Sequence, residues 1–171
     1  MWEKIKEGWS IGIKGLLSIG LSYVSGIFVV KVFKIEENLY QSGHVEGYWS
    51  WLALRIMGIQ GIVDLEGDLD PRKVRKYLKW YHHWKITDGP LPDIDKLWDV
   101  ADMIFAKTYD MKVLVHCMGG VNRSSLVNGC VLYLMGFSGE EIVKKIRDRR
   151  PGALSNKVFE KFLLDLDKSR G

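Results

Sequence analysis

The sequence predicts an α/β domain, a central and mostly parallel sheet with helices on both faces. Three observations carry that prediction. Short apolar runs rich in β-branched residues alternate with longer stretches of helical periodicity. One such run ends in a glycine-bearing loop that opens directly onto a helix. Of the 171 residues, 47% are apolar and 12% aromatic, enough to pack the core of one ordinary domain.

The elements follow in order. His44–Met57 reads as a helix whose Trp49, Trp51, Leu52, Leu54 and Ile56 give a broad apolar surface. Gly58 to Leu65 reads as a turn and then a buried strand. Asp64, Glu66, Asp68 and Asp70 alternate at its end. An exposed acidic loop is expected there rather than a metal site, since no histidine or cysteine accompanies them in sequence. Pro71–Tyr81 is expected to be helical and Trp84–Ile86 to be a strand, with His82 and His83 packing at the strand end or facing solvent. Asp93 caps a helix over Ile94–Lys107. Met111–Val115 is a short β-branched run, as a buried strand would be. From Ser124 to Met135, Leu126, Val127, Cys130, Val131 and Leu134 recur at helical spacing. Ser138-Gly139-Glu140-Glu141 opens a further helix in capping style. Ser155 or Asn156 caps a last helix over Lys157–Asp167.

The first 34 residues differ from the rest. Residues 15–30 carry no charge and are flanked by Lys14 and Lys31. These sixteen residues fall short of the ~20 that span a bilayer, although Ile11, Ile13, Val32 and Phe33 would extend them. Ser18, Ser22 and Gly26 form a small-residue face suited to helix packing in lipid. Residues 11–33 are therefore a candidate membrane anchor, with residues 35–171 as the folded domain that follows it. Two readings compete with it. Trp2, Ile5, Trp9, Ile13, Leu16, Leu17 and Gly20 trace one face of an amphipathic helix that would lie on a membrane or pack on the domain. Phe28 to Ile35 would also serve as an opening strand.

The net charge of +4 suits acidic or phosphorylated partners but is too small and dispersed to argue for nucleic acid. The two cysteines, Cys117 and Cys130, are too few for a disulfide framework. Cys130 falls ~9 Å along the helix from Ser124, so a bridge to Cys117 is not expected and it reads as a small core residue.

Chemistry concentrates in His116-Cys117-Met118-Gly119-Gly120-Val121-Asn122-Arg123-Ser124. A cysteine and an arginine with five residues between them, at a strand end and a helix start, describe a loop that wraps a phosphate. Gly119 and Gly120 let the backbone of residues 118–122 turn its N–H groups inward as an anion nest. The same field favours the thiolate of Cys117, the form that attacks phosphorus. Arg123 closes over two phosphoryl oxygens with its planar fork, and Ser124 bonds the sulfur and eases its departure. His116 orients the loop from behind.

This stretch resembles the H-C-x5-R-[ST] signature of the cysteine-dependent protein tyrosine phosphatases, and most nearly their small dual-specificity branch. The resemblance covers roughly residues 35–168. It implies a dual-specificity-phosphatase-like fold and a general acid upstream. In Ile86-Thr87-Asp88-Gly89-Pro90-Leu91-Pro92 that acid is Asp88, with Asp93 as the runner-up. It also implies that Asn156, after Arg150-Pro151-Gly152-Ala153-Leu154-Ser155, helps position the loop or the hydrolytic water. Glu37 to Gly43 is similar to the family's entry strand. Asn122 departs from the small or basic residue usual before the arginine, and is expected to tune the polarity of the pocket.

The function expected is a metal-independent phosphomonoesterase, without cofactor, that works through a phosphocysteine. The resemblance implies basic residues at the loop's variable positions where a phosphoinositide is the substrate; Met118, Val121 and Asn122 hold no lysine, which favours phosphoprotein. A membrane anchor pulls towards a phospholipid substrate. A catalytically silent phosphate-binding domain is the third reading, although cysteine, arginine and acid are all present. A catalytic thiolate needs a reducing compartment, so the catalytic domain is expected in the cytoplasm, membrane-associated or soluble.

Overall fold

The computed structural model describes residues 30–170. Five strands form one sheet: β1 (Val32–Glu36), β2 (Leu39–Ser42), β3 (Ile59–Asp64), β4 (Trp80–His83) and β5 (Lys112–His116). Their order is β1-β2-β5-β3-β4. β1 turns back antiparallel onto β2, and β2, β5, β3 and β4 run parallel, so the sheet is mostly parallel as expected. The helices are α1 (Gly47–Ile56), α2 (Pro71–Tyr77), α3 (Ile94–Thr108), α4 (Arg123–Leu134), α5 (Gly139–Arg149) and α6 (Lys157–Asp165).

The alternation of side chains along β5 explains the three layers. Val113 and Val115 face the larger core beneath α3, α4, α5 and α6. Leu114, between them, faces the smaller core with Trp51 and Leu54 of α1 and Val74 of α2. All three are fully buried, which is why β5 reads as an unbroken apolar run. Helix α4 is buried on every side from Arg123 to Tyr133, as the element following the central strand must be. Gly129 makes this packing close, because a Cβ there would sit 2.6 Å from the side chain of Leu163 on α6.

Two expectations are corrected. Helix α2 stops at Tyr77, where Leu78 turns extended (φ −124°, ψ 152°), and the strand expected at Trp84–Ile86 forms earlier, at Trp80–His83. Pairing decides this. β4 lies in register with β3, Gly61 opposite Trp80, where a Cβ on Gly61 would meet the indole at 2.8 Å. Trp84 and Ile86 still donate to the carbonyls of Asp64 and Leu65, carrying the chain towards the carboxyl ends of the strands. Val32 and Phe33, counted towards an apolar span, instead open β1 and pair with Ser42 and Gln41. Among the described residues no helix is long and apolar enough to cross a membrane. The rest of the candidate anchor, residues 11–29, lies outside the described residues.

Candidate active site

The register places Ser42, His116, Asp64 and His83 in one row at the carboxyl edge of the parallel strands. That edge is where α/β sheets bind ligands. Residues 117–122 leave β5 there and turn into α4. The turn depends on Gly120, whose φ is +58° and whose Cβ would lie 2.5 Å from the nitrogen of Gly43 and the carbonyl carbon of Ser42. No other residue type fits.

The loop's carbonyls point away from the cysteine, and each has a donor. The His44 amide donates to Met118 O at 3.0 Å. Arg150 donates from Nη2 to Gly119 O at 3.3 Å and from Nε to Gly120 O at 3.1 Å. Gln41 Nε2 also reaches Gly120 O, at 3.1 Å, and braces Ser125 Oγ at 2.8 Å. In a trans peptide the N–H opposes its C=O, so the amides of Gly119, Gly120 and Val121 face away from those donors, as an anion nest requires.

Cys117 and Ser124 sit at its floor, Sγ and Oγ 3.4 Å apart, both buried. Arg123 is buried beside them. It donates to Ile86 O at 3.2 Å and pairs with Glu66, Nη1 to Oε2, at 2.6 Å. The same Glu66 oxygen accepts from the Met118 amide at 3.1 Å, so one carboxylate holds both the arginine and the first turn of the loop.

Glu66 is held in turn by Asp64. The Asp64 side chain, fully buried, accepts from the amides of Glu66 (2.9 Å), Gly67 (2.7 Å) and Leu69 (3.2 Å), and from the Tyr81 hydroxyl at 3.2 Å. His116 Nε2, from β5, lies 3.2 Å from its Oδ1. Burial alone would push this carboxyl up. The contact with His116 and the Gly67 and Leu69 amides outweigh it and hold the group well below the usual carboxylate range. The expected exposed acidic loop is thus corrected for Asp64, a buried brace that a histidine accompanies, whereas Asp68 and Asp70 are exposed as expected. Asp64, Asp68 and His116 bring ligand-type atoms within 4.8 Å of one another. Asp64 is engaged by amides and Tyr81, and Asp68 pairs with His44 Nδ1 at 2.6 Å, so both carboxylates of the trio already have protein partners, while His116 meets Asp64 only through the 3.2 Å ion-pair contact. Asp70 caps α2, accepting from the Arg72 amide.

Asp88 reaches the rim of the loop. Its Oδ2 accepts from Asn122 Nδ2 at 2.9 Å and its Oδ1 from Asn156 Nδ2 at 3.0 Å. Asn156 caps α6 through the Val158 amide and also holds Asp88. Asp93 is the cap of α3, bonding the Lys96 amide. Cys130 is fully buried on α4, and burial pushes its thiol up. The fold brings Cys117, Arg123, Ser124, Asp88, His116 and Asn156, the residues singled out in the sequence, to one end of the sheet together with Asp64, Glu66, Gln41 and Arg150, which the sequence pattern does not single out as site residues. The position of Asp64 and Glu66 at the mouth end of a parallel strand was the available signal.

The model of the cyclin-dependent kinase inhibitor 3 (CDKN3) family matches residues 54–142, over half the chain and including Asp88 and the whole cysteine loop. The chain belongs to that family. It lies within the dual-specificity branch of the cysteine-dependent tyrosine phosphatases. The rat cyclin-dependent kinase inhibitor 3 is 31% identical over 109 residues, and the human protein 34% identical over 110, each alignment covering 57% of this chain. The chain spans about half the length of these relatives, 51% in each case. Among solved structures, the active form of Tk-PTP superposes with a TM-score of 0.68 at 24% identity, covering 80% of this chain and 96% of that one. Human DUSP28 gives 0.66 at 18% identity, covering 81% and 94%. These likenesses show the fold.

Proposed function

We propose that this chain is a metal-independent phosphomonoesterase that acts on phosphoprotein, at phosphotyrosine, phosphoserine or phosphothreonine, through a phosphocysteine. One observation carries the reading. The thiol of Cys117 and the Ser124 hydroxyl lie 3.4 Å apart under the glycine loop, Arg123 is buried next to Ser124 and held by Glu66, and a carboxyl group, Asp88, is bonded to Asn122 on the same loop.

The chemistry follows from that placement. The nest amides and Arg123 bind the three phosphoryl oxygens and hold their charge as it spreads in the transition state. Cys117 Sγ attacks phosphorus, the bond to the leaving oxygen breaks, and Asp88 gives that oxygen a proton. In the second step Asp88 takes a proton from water, water oxygen bonds phosphorus, and the sulfur leaves as a thiolate stabilised by the Ser124 hydroxyl. Glu66 keeps Arg123 aimed across the nest in the meantime. The family, whose curated members carry the name of a kinase inhibitor, supports a protein partner over a lipid. The apolar segment before β1 is the part proposed to attach the chain to a membrane. Recovery of the full chain in a detergent-free soluble fraction would refute that attachment.

The test is phosphate release by the full chain, in EDTA, from a phosphotyrosine peptide, a phosphothreonine peptide and a phospholipid monoester. Turnover of a peptide, abolished in Cys117→Ser while that variant still binds phosphate, is the expected result. Turnover of the lipid alone overturns the substrate class. Equal turnover by parent and Cys117→Ser overturns the covalent mechanism, and phosphate binding without turnover leaves the silent-domain reading in its place.

A further inference from the structure

We infer that Asn122 is a latch that holds the acid loop over the cysteine loop, positioning Asp88 for proton transfer; the inference rests on the phosphatase reading. The Asn122 side chain is bonded to neighbouring segments at both ends.

The amide group of Asn122 has a donor end and an acceptor end, and the two are used in opposite directions. Nδ2 donates to Asp88 Oδ2 at 2.9 Å. Oδ1 accepts from Ser155 Oγ and from the Asn156 amide, each at 3.0 Å. One side chain therefore joins three pieces of chain: the cysteine loop, the acid loop and the segment that leads into α6. Asn156 closes the ring by donating from Nδ2 to Asp88 Oδ1 and to Gly89 O, each at 3.0 Å. Both carboxylate oxygens of Asp88 are thus fixed by side-chain amides that are themselves fixed elsewhere. The segment presenting Ser155 and Asn156 is anchored too, by the Leu154 amide on Val121 O at 3.0 Å and by Arg147 Nη2 on Leu154 O at 3.1 Å.

The covalent position of Asn122 gives the arrangement its purpose. It immediately precedes Arg123, the residue that clamps the phosphoryl group. A bond from Asn122 to Asp88 therefore sets the acid's position relative to the phosphate directly, with no intervening flexible chain. A glycine or a basic side chain at 122 offers no acceptor for Ser155 and Asn156 while donating to Asp88. Asp88 sits on a Gly89-Pro90 loop and is exposed, so it needs such a fastening to spend its time at the nest. Asn122 does not touch the reacting atoms. It is a positioning residue.

The test separates acid positioning from general damage by leaving-group dependence. Parent and Asn122→Ala are compared on phenyl phosphate, whose leaving oxygen needs a proton, and on a fluorinated umbelliferyl phosphate, whose leaving oxygen needs it far less. The expected loss of kcat on phenyl phosphate is about 10²-fold, and it exceeds the loss on the activated ester by about tenfold or more. In an Asp88→Ala background, Asn122→Ala should add little to the loss on phenyl phosphate, because the two act as one unit. Asn122→Asp keeps the shape and sets a second carboxylate against Asp88, so it should show the same selectivity if Asn122→Ala folds poorly. Equal losses on both esters, additive losses in the double variant, or no loss at all overturns the latch. A parent that hydrolyses neither ester overturns the phosphatase reading itself, and the latch with it.

Discussion

Asp64 decides whether the acidic loop is architecture or decoration, and replacing it with alanine gives the sharpest outcome. The carboxylate accepts from three backbone amides and the Tyr81 hydroxyl and lies 3.2 Å from His116. Charging ~1–3 kcal/mol for each of these five stranded groups would approach the whole stability of a domain, ~5–15 kcal/mol. The three amides and the Tyr81 hydroxyl, however, stand on a part-exposed loop edge where water can replace the lost acceptor. The fully buried His116 remains to be counted, which gives ~1–3 kcal/mol for Asp64→Ala. Asp64→Asn keeps one acceptor oxygen and loses the charge, so about half that loss is expected. Urea unfolding at neutral pH measures both. The pH dependence has a definite sign. A carboxyl held below its ordinary range in the folded chain contributes stability that is complete above the unfolded value of ~3.9. That contribution fades as pH falls through it towards the lower folded value. The gap between parent and Asp64→Asn should therefore narrow below about pH 4. A gap that is equal at pH 7 and pH 3, or an Asp64→Ala variant within ~1 kcal/mol of the parent, would refute the reasoning.

Three further outcomes follow from the same geometry. Glu66→Ala removes a charge-assisted bond to Arg123 worth ~1.5–3 kcal/mol, so kcat/KM on a phosphotyrosine peptide should fall by about 10–100-fold. Glu66→Gln, which retains an oxygen for the Met118 amide, should fall less. Gly120→Ala combines a left-handed backbone, ~1–2 kcal/mol, with overlap on Ser42 and Gly43, ~1–3 kcal/mol. Its melting temperature should drop and inorganic phosphate should lose its hold, read by calorimetry and by competitive inhibition; an unchanged melt would mean the loop has another way to turn. Cys130, buried with its thiol pushed up, should stay unmodified by a thiol reagent in the native chain and react only in denaturant, as mass spectrometry would show.

The features read most directly from sequence are those whose determinants are neighbours in the chain. Cys117, the glycines, Arg123 and Ser124 fall within one strand–loop–helix, and the apolar run of β5 announces its burial on both faces. The capping box at Ser138 and Glu141 and the cap at Asp93 are equally local, and both form where the spacing placed them. The errors lie where pairing across the sheet overrides local pattern. Tyr77 to Tyr81 carries residues that suit a helix, and only alignment with Gly61 on β3 draws Trp80–His83 into a strand. Asp64 and Glu66 were read as exposed for the same reason. A carboxylate is buried only when the fold supplies donors: Asp64 takes three amides from the loop just after it but also meets Tyr81 on β4 and His116 on β5, and Glu66 is held by the Met118 amide 52 residues further on.

Asn122 shows what this implies for reading a site from its motif. Its identity was visible as a departure from the family's pattern, but its role depended on partners 34 residues away in each direction, Asp88 before it and Asn156 after it. Residues that face the substrate are constrained by chemistry common to the reaction, so a motif captures them. Residues that fix one loop to another are constrained by which pairs of side chains happen to meet, so they vary together and escape any pattern drawn on one segment. In this chain the outward carbonyls at 118–120 are satisfied by His44, Arg150 and Gln41. Arg123 is steadied by Glu66, and Asp88 by two asparagines. Each of these partners lies outside the cysteine motif. The local sequence thus specifies which atoms would react, while their mutual placement, on which rate depends through near-attack geometry, is specified by contacts that only the folded chain brings together.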